Sequence, residues 1–298
     1  MGMKYHTGGK SDGKSRAYRT YRKRREFLGK EKGEGGQKKS LGQNFLTSQS
    51  ALAAIIAVED IQAKEVVLEV GPGRGALTRE LLESGARVVA TEKDESLVLF
   101  LQKEFADAIK QKHLRLVSGD ILKLSLKKLK LGGTPYKIVA NIPYYITGKF
   151  LRNIFSEEKL PERVVLLLQK EVAERIARDK KESVLSLSIR CYGTPRYVKT
   201  VPAGSFSPPP SVDSAILLIE NISRDFFSGF SEVFWFRLVK AGFAQKRKKL
   251  IRNLESVETR ERLQETFRAI GISENSRAED LSLAVWKKIA GELYSGGT

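Results

Sequence analysis

Between Val66 and Glu92 the sequence sets out a strand, a glycine turn, a helix and a second strand, an order that commits a chain to an α/β sheet. Val66-Val67-Leu68-Glu69-Val70 is a nearly unbroken apolar run, as a buried strand requires. Gly71-Pro72-Gly73-Arg74-Gly75 is a tight turn, and the spacing beyond it predicts a helix over Ala76–Leu82. A second strand over Arg87–Thr91 ends in Glu92, 21 residues after Gly71. Open sheets of this kind place ligands beyond the carboxyl ends of their strands. Glycines there let the backbone pass close to a ligand, and the helix N-terminus offers free N–H groups and positive potential. An acid closing the next strand accepts hydrogen bonds from ribose hydroxyls, so the unit points to a nucleoside cofactor. It does not say which one. Gly71-x-Gly73-x-x-Ala76 satisfies a dinucleotide fingerprint, and glycine turns also occur with no ligand at all.

The following strands narrow the choice. Asp94 starts a predicted helix running to Ile109, and a third strand, Leu114–Val117, ends in Ser118-Gly119-Asp120. Asp120 is placed either to accept from an adenine amino group or to cap Ile121–Leu124; the residues alone do not choose. Residues 123–133 are Lys-rich and read as a surface segment. The apolar run Ile138-Val139-Ala140 then stops at Asn141-Ile142-Pro143-Tyr144-Tyr145, which puts an amide, a carbonyl ahead of an imino ring and two aromatic faces within five residues. Hydride transfer has no use for such a group, whereas methyl transfer to an exocyclic amine does. The amino nitrogen of adenine is a poor nucleophile because its lone pair is delocalised into the ring. The Asn141 side-chain oxygen and the carbonyl before or at Pro143 can hold its two hydrogens and aim the lone pair at a methyl donor. Tyr144 would stack on the base, and the rate would come from positioning and electrostatics.

A fifth strand over Arg163–Leu168 leads to Gln169-Lys170-Glu171 and a helix with Val172, Ile176 and Ala177 on one face. A helix over 182–192, a short strand Val198–Val201, a rigid loop Phe206-Ser207-Pro208-Pro209-Pro210-Ser211-Val212-Asp213-Ser214 and a last strand Ala215–Ile219 follow. Phe206 is placed either to cover the base face opposite Tyr144 or to fill the core. Past Asn221 the pattern turns helical, over Phe226–Phe243, Lys246–Leu254, Arg260–Ile270 and Leu281–Leu293. Three regions are therefore expected: a basic arm at 1–36, a nucleoside-binding domain at 37–222 and a small all-α domain at 223–298.

Charge identifies the partner class. Lys+Arg number 53 against 35 Asp+Glu, a net +18, which favours a polyanion. Half of that excess lies in residues 1–39, with 13 Lys/Arg and four Asp/Glu, densest at Arg22, Lys23, Arg24 and Arg25. Eight glycines and few aliphatic residues in 1–36 predict a disordered arm that lies along RNA phosphates or merely aids solubility. A second basic run, Lys246, Arg247, Lys248, Lys249 and Arg252, offers phosphate contacts from a helix face. No apolar run approaches the ~18 residues of a membrane span, and no apolar segment follows the basic start as a secretory signal would. A single cysteine, Cys191, suits a reducing compartment, and the two histidines cannot build a His-rich metal site, so no metal is expected.

Taken in order, several motifs resemble the ribosomal RNA adenine dimethyltransferases of the KsgA type. They are Leu41-Gly42-Gln43-Asn44-Phe45-Leu46, Glu69-Val70-Gly71-Pro72-Gly73, Glu92, Gly119-Asp120, Asn141-Ile142-Pro143-Tyr144, Leu168-Gln169-Lys170-Glu171 and the Phe206–Ser214 loop. The resemblance implies a class I S-adenosyl-L-methionine (SAM)-dependent methyltransferase fold, a Rossmann-like, seven-stranded mixed sheet with a small C-terminal all-α domain. It implies SAM held by residues matching Asn44, Leu46, Gly71, Glu92, Asp120 and Asn141, with Gly73 in the same turn and Glu69 near the methionine end. It further implies N6,N6-dimethylation of two neighbouring adenosines in the 3'-terminal hairpin of small-subunit (16S) rRNA, on an assembling small subunit in the cytoplasm, by a monomer. The erythromycin-resistance methyltransferases, which act on large-subunit rRNA, share nearly all these motifs. Gly242–Asn253 and Arg277–Ser282 look like the helical domain of the small-subunit enzymes. A non-catalytic assembly protein on this fold, and an NAD-dependent oxidoreductase, are the remaining alternatives. The loop Lys180-Lys181-Glu182-Ser183 departs from the family in lacking a Tyr or Gly before the next helix.

Overall fold

Unbroken aliphatic strands are stable only where both faces of a sheet are covered, and the chain builds such a sheet. The structure, a computed structural model, describes residues 44–143 and 146–295. Seven strands lie in the order β4 (Leu114–Ser118), β3 (Arg87–Glu92), β2 (Val66–Val70), β5 (Tyr136–Ala140), β6 (Val164–Gln169), β9 (Ser214–Glu220) and β7 (Thr194–Val201). The first five are parallel; β9 runs antiparallel to β6 and β7. A separate two-stranded ribbon pairs β1 (Phe45–Leu46) with β8 (Phe206–Ser207). This is the mixed seven-stranded sheet expected.

Successive strand residues serve opposite cores, as a period of two requires. Leu68, Ile138, Leu166, Leu168 and Leu217 join one cluster, while Val67, Val139, Val165, Leu167 and Leu218 join the other. The second cluster is covered by α1 (Gln49–Glu59), α2 (Ala76–Glu83), α3 (Glu95–Glu104) and α4 (Ala106–Lys110). Ser48 caps α1 by accepting from Ala51 N at 3.4 Å, and Asp94 caps α3 by accepting from Ser96 N at 2.9 Å. The helix expected to run from Asp94 to Ile109 is broken at Phe105, whose ring is buried.

The first cluster continues without a break from the sheet through α5 (Thr147–Ser156), α6 (Lys170–Ala177) and α7 (Val184–Arg190) into the C-terminal helices. These are α8 (Glu232–Gly242), α9 (Leu250–Leu254), α10 (Arg260–Ala269) and α11 (Leu283–Ser295). Phe150, Phe155, Trp235 and Trp286, all at most 1% exposed, belong to that one cluster. Polar ties cross the same seam. Arg224 Nη2 donates to the carbonyls of Phe155 (2.9 Å) and Glu157 (2.6 Å), the Tyr192 hydroxyl donates to Glu232, and Lys181 pairs with Glu279 at 2.7 Å. The loop that departs from the family pattern thus contacts the helical region.

Four local expectations change. The helix expected over Phe226–Phe243 begins at Glu232, after a 3-10 turn at Asp225–Phe227. The segment 123–133 exposes its lysines but buries Leu126, Leu129 and Leu131, so it is pinned to the core. The strand expected at Val198–Val201 begins at Thr194, with a bulge between Tyr197 and Lys199. The helix expected from Lys246 begins at Leu250, because residues 244–249 form a turn. Buried Asn253 holds that turn, its Nδ2 donating to the carbonyls of Gly242 at 2.6 Å and Gln245 at 3.2 Å.

Gly242 is where α8 meets α11 and α9. A Cβ there would overlap the Trp286 ring and sit 2.9 Å from Leu250 Cδ1. Gly242→Ala should therefore destabilise the fold by about 1–3 kcal/mol despite alanine's better helix propensity. Gly291→Ala, where a Cβ meets nothing within 4 Å, should stabilise by roughly 0.5–1 kcal/mol. Urea unfolding of the two variants checks both signs.

Candidate active site

The end of β2 is stitched to both its neighbours. Gly71 N donates to Thr91 O of β3 at 3.0 Å, and Asn141 N, just past β5, donates to Val70 O at 3.1 Å. The chain then turns sharply, with Gly71 at φ +74° and Gly73 at φ +57°. Side chains are excluded by contact as well as by conformation. A Cβ on Gly71 would lie 2.7 Å from the Asn141 carbonyl oxygen, and one on Gly73 would lie 2.7 Å from the Phe45 ring. The turn delivers the chain into α2, whose N-terminus has no side-chain cap.

Three acids surround this turn, each differently occupied. Glu92, 8% exposed, accepts from Gly73 N at 3.2 Å through Oε2, and from Lys93 N (2.8 Å) and Asp94 N (3.0 Å) through Oε1. Burial pushes its pKa up while the three N–H donors pull it back. It is thus a strut for the glycine turn as well as a candidate ribose acceptor. Glu69, 1% exposed, accepts from Thr78 Oγ1 at 2.7 Å through Oε2, whereas its buried Oε1 makes no hydrogen bond to the described residues. Burial, reinforced by the Glu92 charge and opposed by the Thr78 hydroxyl, pushes its carboxyl up to about 8. Asp120 caps a short 3-10 turn, accepting from Leu122 N at 3.0 Å, and pairs with Lys93 Nζ at 3.2 Å. Burial alone would raise its pKa, but the Leu122 N–H and the Lys93 ammonium hold it below the ordinary carboxylate value. The capping alternative is therefore realised, with one carboxylate oxygen on a lysine next to Glu92.

Phe45, Leu46, Glu69, Gly71, Gly73 and Asn141 line one small cavity of about 40 Å³. Its lid is the β1–β8 ribbon, in which Phe45 pairs with Ser207 and Leu46 with Phe206, and Thr47 N donates to Ser205 O at 2.8 Å. Arg74 lies 5.2 Å over the Phe45 ring. Asn44 is half-buried at the start of the lid. Small-molecule sites are typically about 300–1,000 Å³, so a cavity of this size does not hold a whole nucleoside cofactor. The donor set fits such a cofactor: an unbonded buried carboxyl oxygen for an ammonium, a carboxylate strut for ribose hydroxyls, and backbone stripped of Cβ atoms for close approach.

The residues expected to hold the target base begin at Asn141, beside the glycine turn. Asn141 and Pro143 are half-buried and Ile142 is 5% exposed. The Pro143 carbonyl accepts from Ile146 N at 3.1 Å, leaving one further lone pair. Tyr144 lies outside the described residues, as do Arg22, Lys23, Arg24 and Arg25. Phe206 is 5% exposed and packs in the core with Leu46, Val201 and Ile216, so presenting its face to a base requires the ribbon to open. Lys246, Arg247, Lys248 and Lys249 are exposed on the α8–α9 turn and Arg252 is exposed on α9, where it faces Glu255 at 3.9 Å. Sequence reasoning passed over Thr78 and Lys93, whose partners are set by tertiary contact. It also left Phe45 without a role.

Residues 36–294 match the family described as ribosomal RNA adenine dimethylase. A ribosomal RNA small subunit methyltransferase A of Dehalococcoides mccartyi (strain CBDB1) is 42% identical over 262 residues, covering 87% of this chain and 89% of the relative. Its namesake in Thermosynechococcus vestitus is 39% identical over 257 residues, covering 84% and 94%. A dimethyladenosine transferase from Plasmodium falciparum superposes with a TM-score of 0.70 at 23% identity, over 82% of this chain and 95% of that one. The 23S rRNA methyltransferase ErmE superposes with 0.66 at 23% identity, over 84% and 99%. These two structures share the fold, and the family match and the curated relatives go further: the chain belongs to the ribosomal RNA adenine dimethylase family.

Proposed function

We propose that the protein methylates N6 of two adjacent adenosines in the 3'-terminal hairpin of small-subunit rRNA, twice each, with SAM as donor. It acts as a monomer on assembling small subunits in the cytoplasm. The observation that carries this is the close approach of Gly71 to the Asn141 carbonyl, which joins the cofactor turn to the amine clamp with no room for a Cβ between them. When bound, SAM supplies an electrophilic methyl group on a sulfonium. Asn44, Leu46, Gly71, Gly73, Glu92, Asp120 and Asn141 would hold it, with Glu69 Oε1 toward the ammonium end. The Asn141 side-chain oxygen and a carbonyl at Ile142 or Pro143 accept the two amino hydrogens of adenine. Holding both draws the nitrogen out of conjugation and fixes the direction of its lone pair. Tyr144 stacks on the base, and Phe206 covers the other face if the ribbon opens. No strong base is needed, because the ammonium formed on an aromatic amine is acidic. The helical region at 223–298 and the arm at 1–36 supply phosphate contacts.

Asn141→Ala should lower methyl transfer by about 10²–10³-fold while leaving the unfolding midpoint near wild type. Labelled SAM with under-methylated small subunits and, in competition, large-subunit rRNA reads this out. Label in large-subunit RNA alone would transfer the protein to the erythromycin-resistance type, and no label in adenosine would end the proposal. Neutralising Lys246, Arg247, Lys248 and Lys249 should flatten the salt dependence of RNA binding and leave SAM affinity unchanged; an unaltered slope would exclude that turn from the interface.

Glu69 predicts a pH effect on folding. Its pKa is about 8 in the fold against an ordinary 4.5, so the folded chain keeps a proton that the unfolded chain has lost. The stability tied to that proton is complete below about pH 4.5 and is lost as pH rises through about 8. Glu69→Gln lacks this loss. Its stability relative to wild type should rise by on the order of a few kcal/mol between about pH 5 and 8, measured by urea melts; a pH-independent difference would contradict the assignment.

A further inference from the structure

At the opposite end of the sheet, where β2, β3 and β4 begin, lies a larger cavity of about 470 Å³. Val66, Arg87 and Leu114, the first residues of those strands, line it. Strands of this length put it roughly 15 Å from the glycine turn at ~3.3 Å per residue. β4 is an edge strand, and among the described residues no further strand covers this side. The lining includes Arg87, Lys112, His113, Arg115 and Lys130 and, among the described residues, no acidic one.

The cations are unneutralised. Among the described residues none of Arg87, Lys112, Arg115 and Lys130 forms an ion pair, whereas Lys93 and Lys137 elsewhere on the sheet each have a carboxylate partner. Arg115 is half-buried on β4, and its Nη2 is buried without a hydrogen bond, a donor whose desolvation nothing offsets. Lys112 and Lys130 hold left-handed backbone, at φ +60° and φ +50°. Glycine or asparagine would occupy those turns with less strain. Both turns instead carry an exposed lysine that lines the cavity. A concave surface with clustered, unpaired guanidinium and ammonium groups attracts phosphate oxygens.

We propose that this cavity is a second RNA-docking site, taking backbone phosphates of the rRNA substrate at the sheet edge away from the methyl-transfer centre. It rests on the rRNA function above, and it adds that RNA beyond the target nucleotides is gripped by the catalytic domain itself. A free phosphate shares the chemistry, so the test separates the two sources.

The full chain is compared with the double variant Lys112→Gly/Lys130→Gly and with Arg115→Gln. The glycines remove charge while relieving left-handed backbone, so the double variant should melt at or above the wild-type temperature. Binding to under-methylated small subunits is measured across a salt series, with SAM affinity as a control, and inorganic phosphate is titrated by NMR. For the double variant the log–log salt slope should fall by about two, one for each lost phosphate contact, with SAM affinity unchanged. Arg115→Gln should lower it by about one. An unchanged slope in folded variants overturns the proposal. Inorganic phosphate binding that Arg115→Gln abolishes, with an unchanged rRNA slope, also overturns it and assigns the cavity to a free anion. Wild-type protein that methylates while its variants keep the slope fails the docking site alone; wild-type protein that neither binds rRNA nor transfers methyl fails the activity and the docking site together.

Discussion

Everything at the catalytic end depends on two backbones meeting without side chains between them. The Gly71 turn and the Asn141 carbonyl approach so closely that one Cβ would separate the ends of β2 and β5. That contact is possible because β2 is held in register on both sides, by β3 and β5, over its full five residues. The proposed cofactor cradle and amine clamp are therefore not two sites on a surface but two sides of one seam. Positioning at such a seam can supply much of a methyl transfer that needs no strong general base.

Charge is partitioned along the same axis. Carboxyl groups gather at the carboxyl ends of the strands, where Glu69 and Glu92 are buried and Asp120 is tied to Lys93. Cations gather on turns, at 246–249 and around the amino ends of β3 and β4. A polyanion is thereby attracted to the periphery.

Much of this was legible in the sequence because the physics is local. Val66–Val70, Arg163–Leu168 and Ala215–Ile219 announce buried strands by apolar runs, and three closely spaced glycines announce a turn. The gaps lie where the determinant is tertiary. β7 hides because Pro195, Arg196 and Lys199 break its apolar pattern, as an edge strand tolerates. Lys246 reads as helical by spacing, but Asn253 holds the preceding residues in a turn by bonding Gly242 and Gln245. Phe206 offered two roles to the sequence; in the structure it is a buried partner of Leu46, a pairing of two-residue strands that no periodicity could reveal. Asp120 likewise left two roles open, and the structure shows it capping a turn and bound to Lys93.

The ribbon that closes the cradle joins residues far apart in the chain: Thr47 Oγ1 donates to the Ser205 carbonyl at 3.0 Å across a separation of 158 residues. A polypeptide is made from its amino end, so Phe45 and the glycine turn leave the ribosome long before Phe206 exists. At about 5–20 residues per second, that interval is roughly ten to thirty seconds. During synthesis the parallel core can assemble first and the lid must lock last. A nascent chain thus carries its glycine turn uncovered until nearly the whole sheet has been translated.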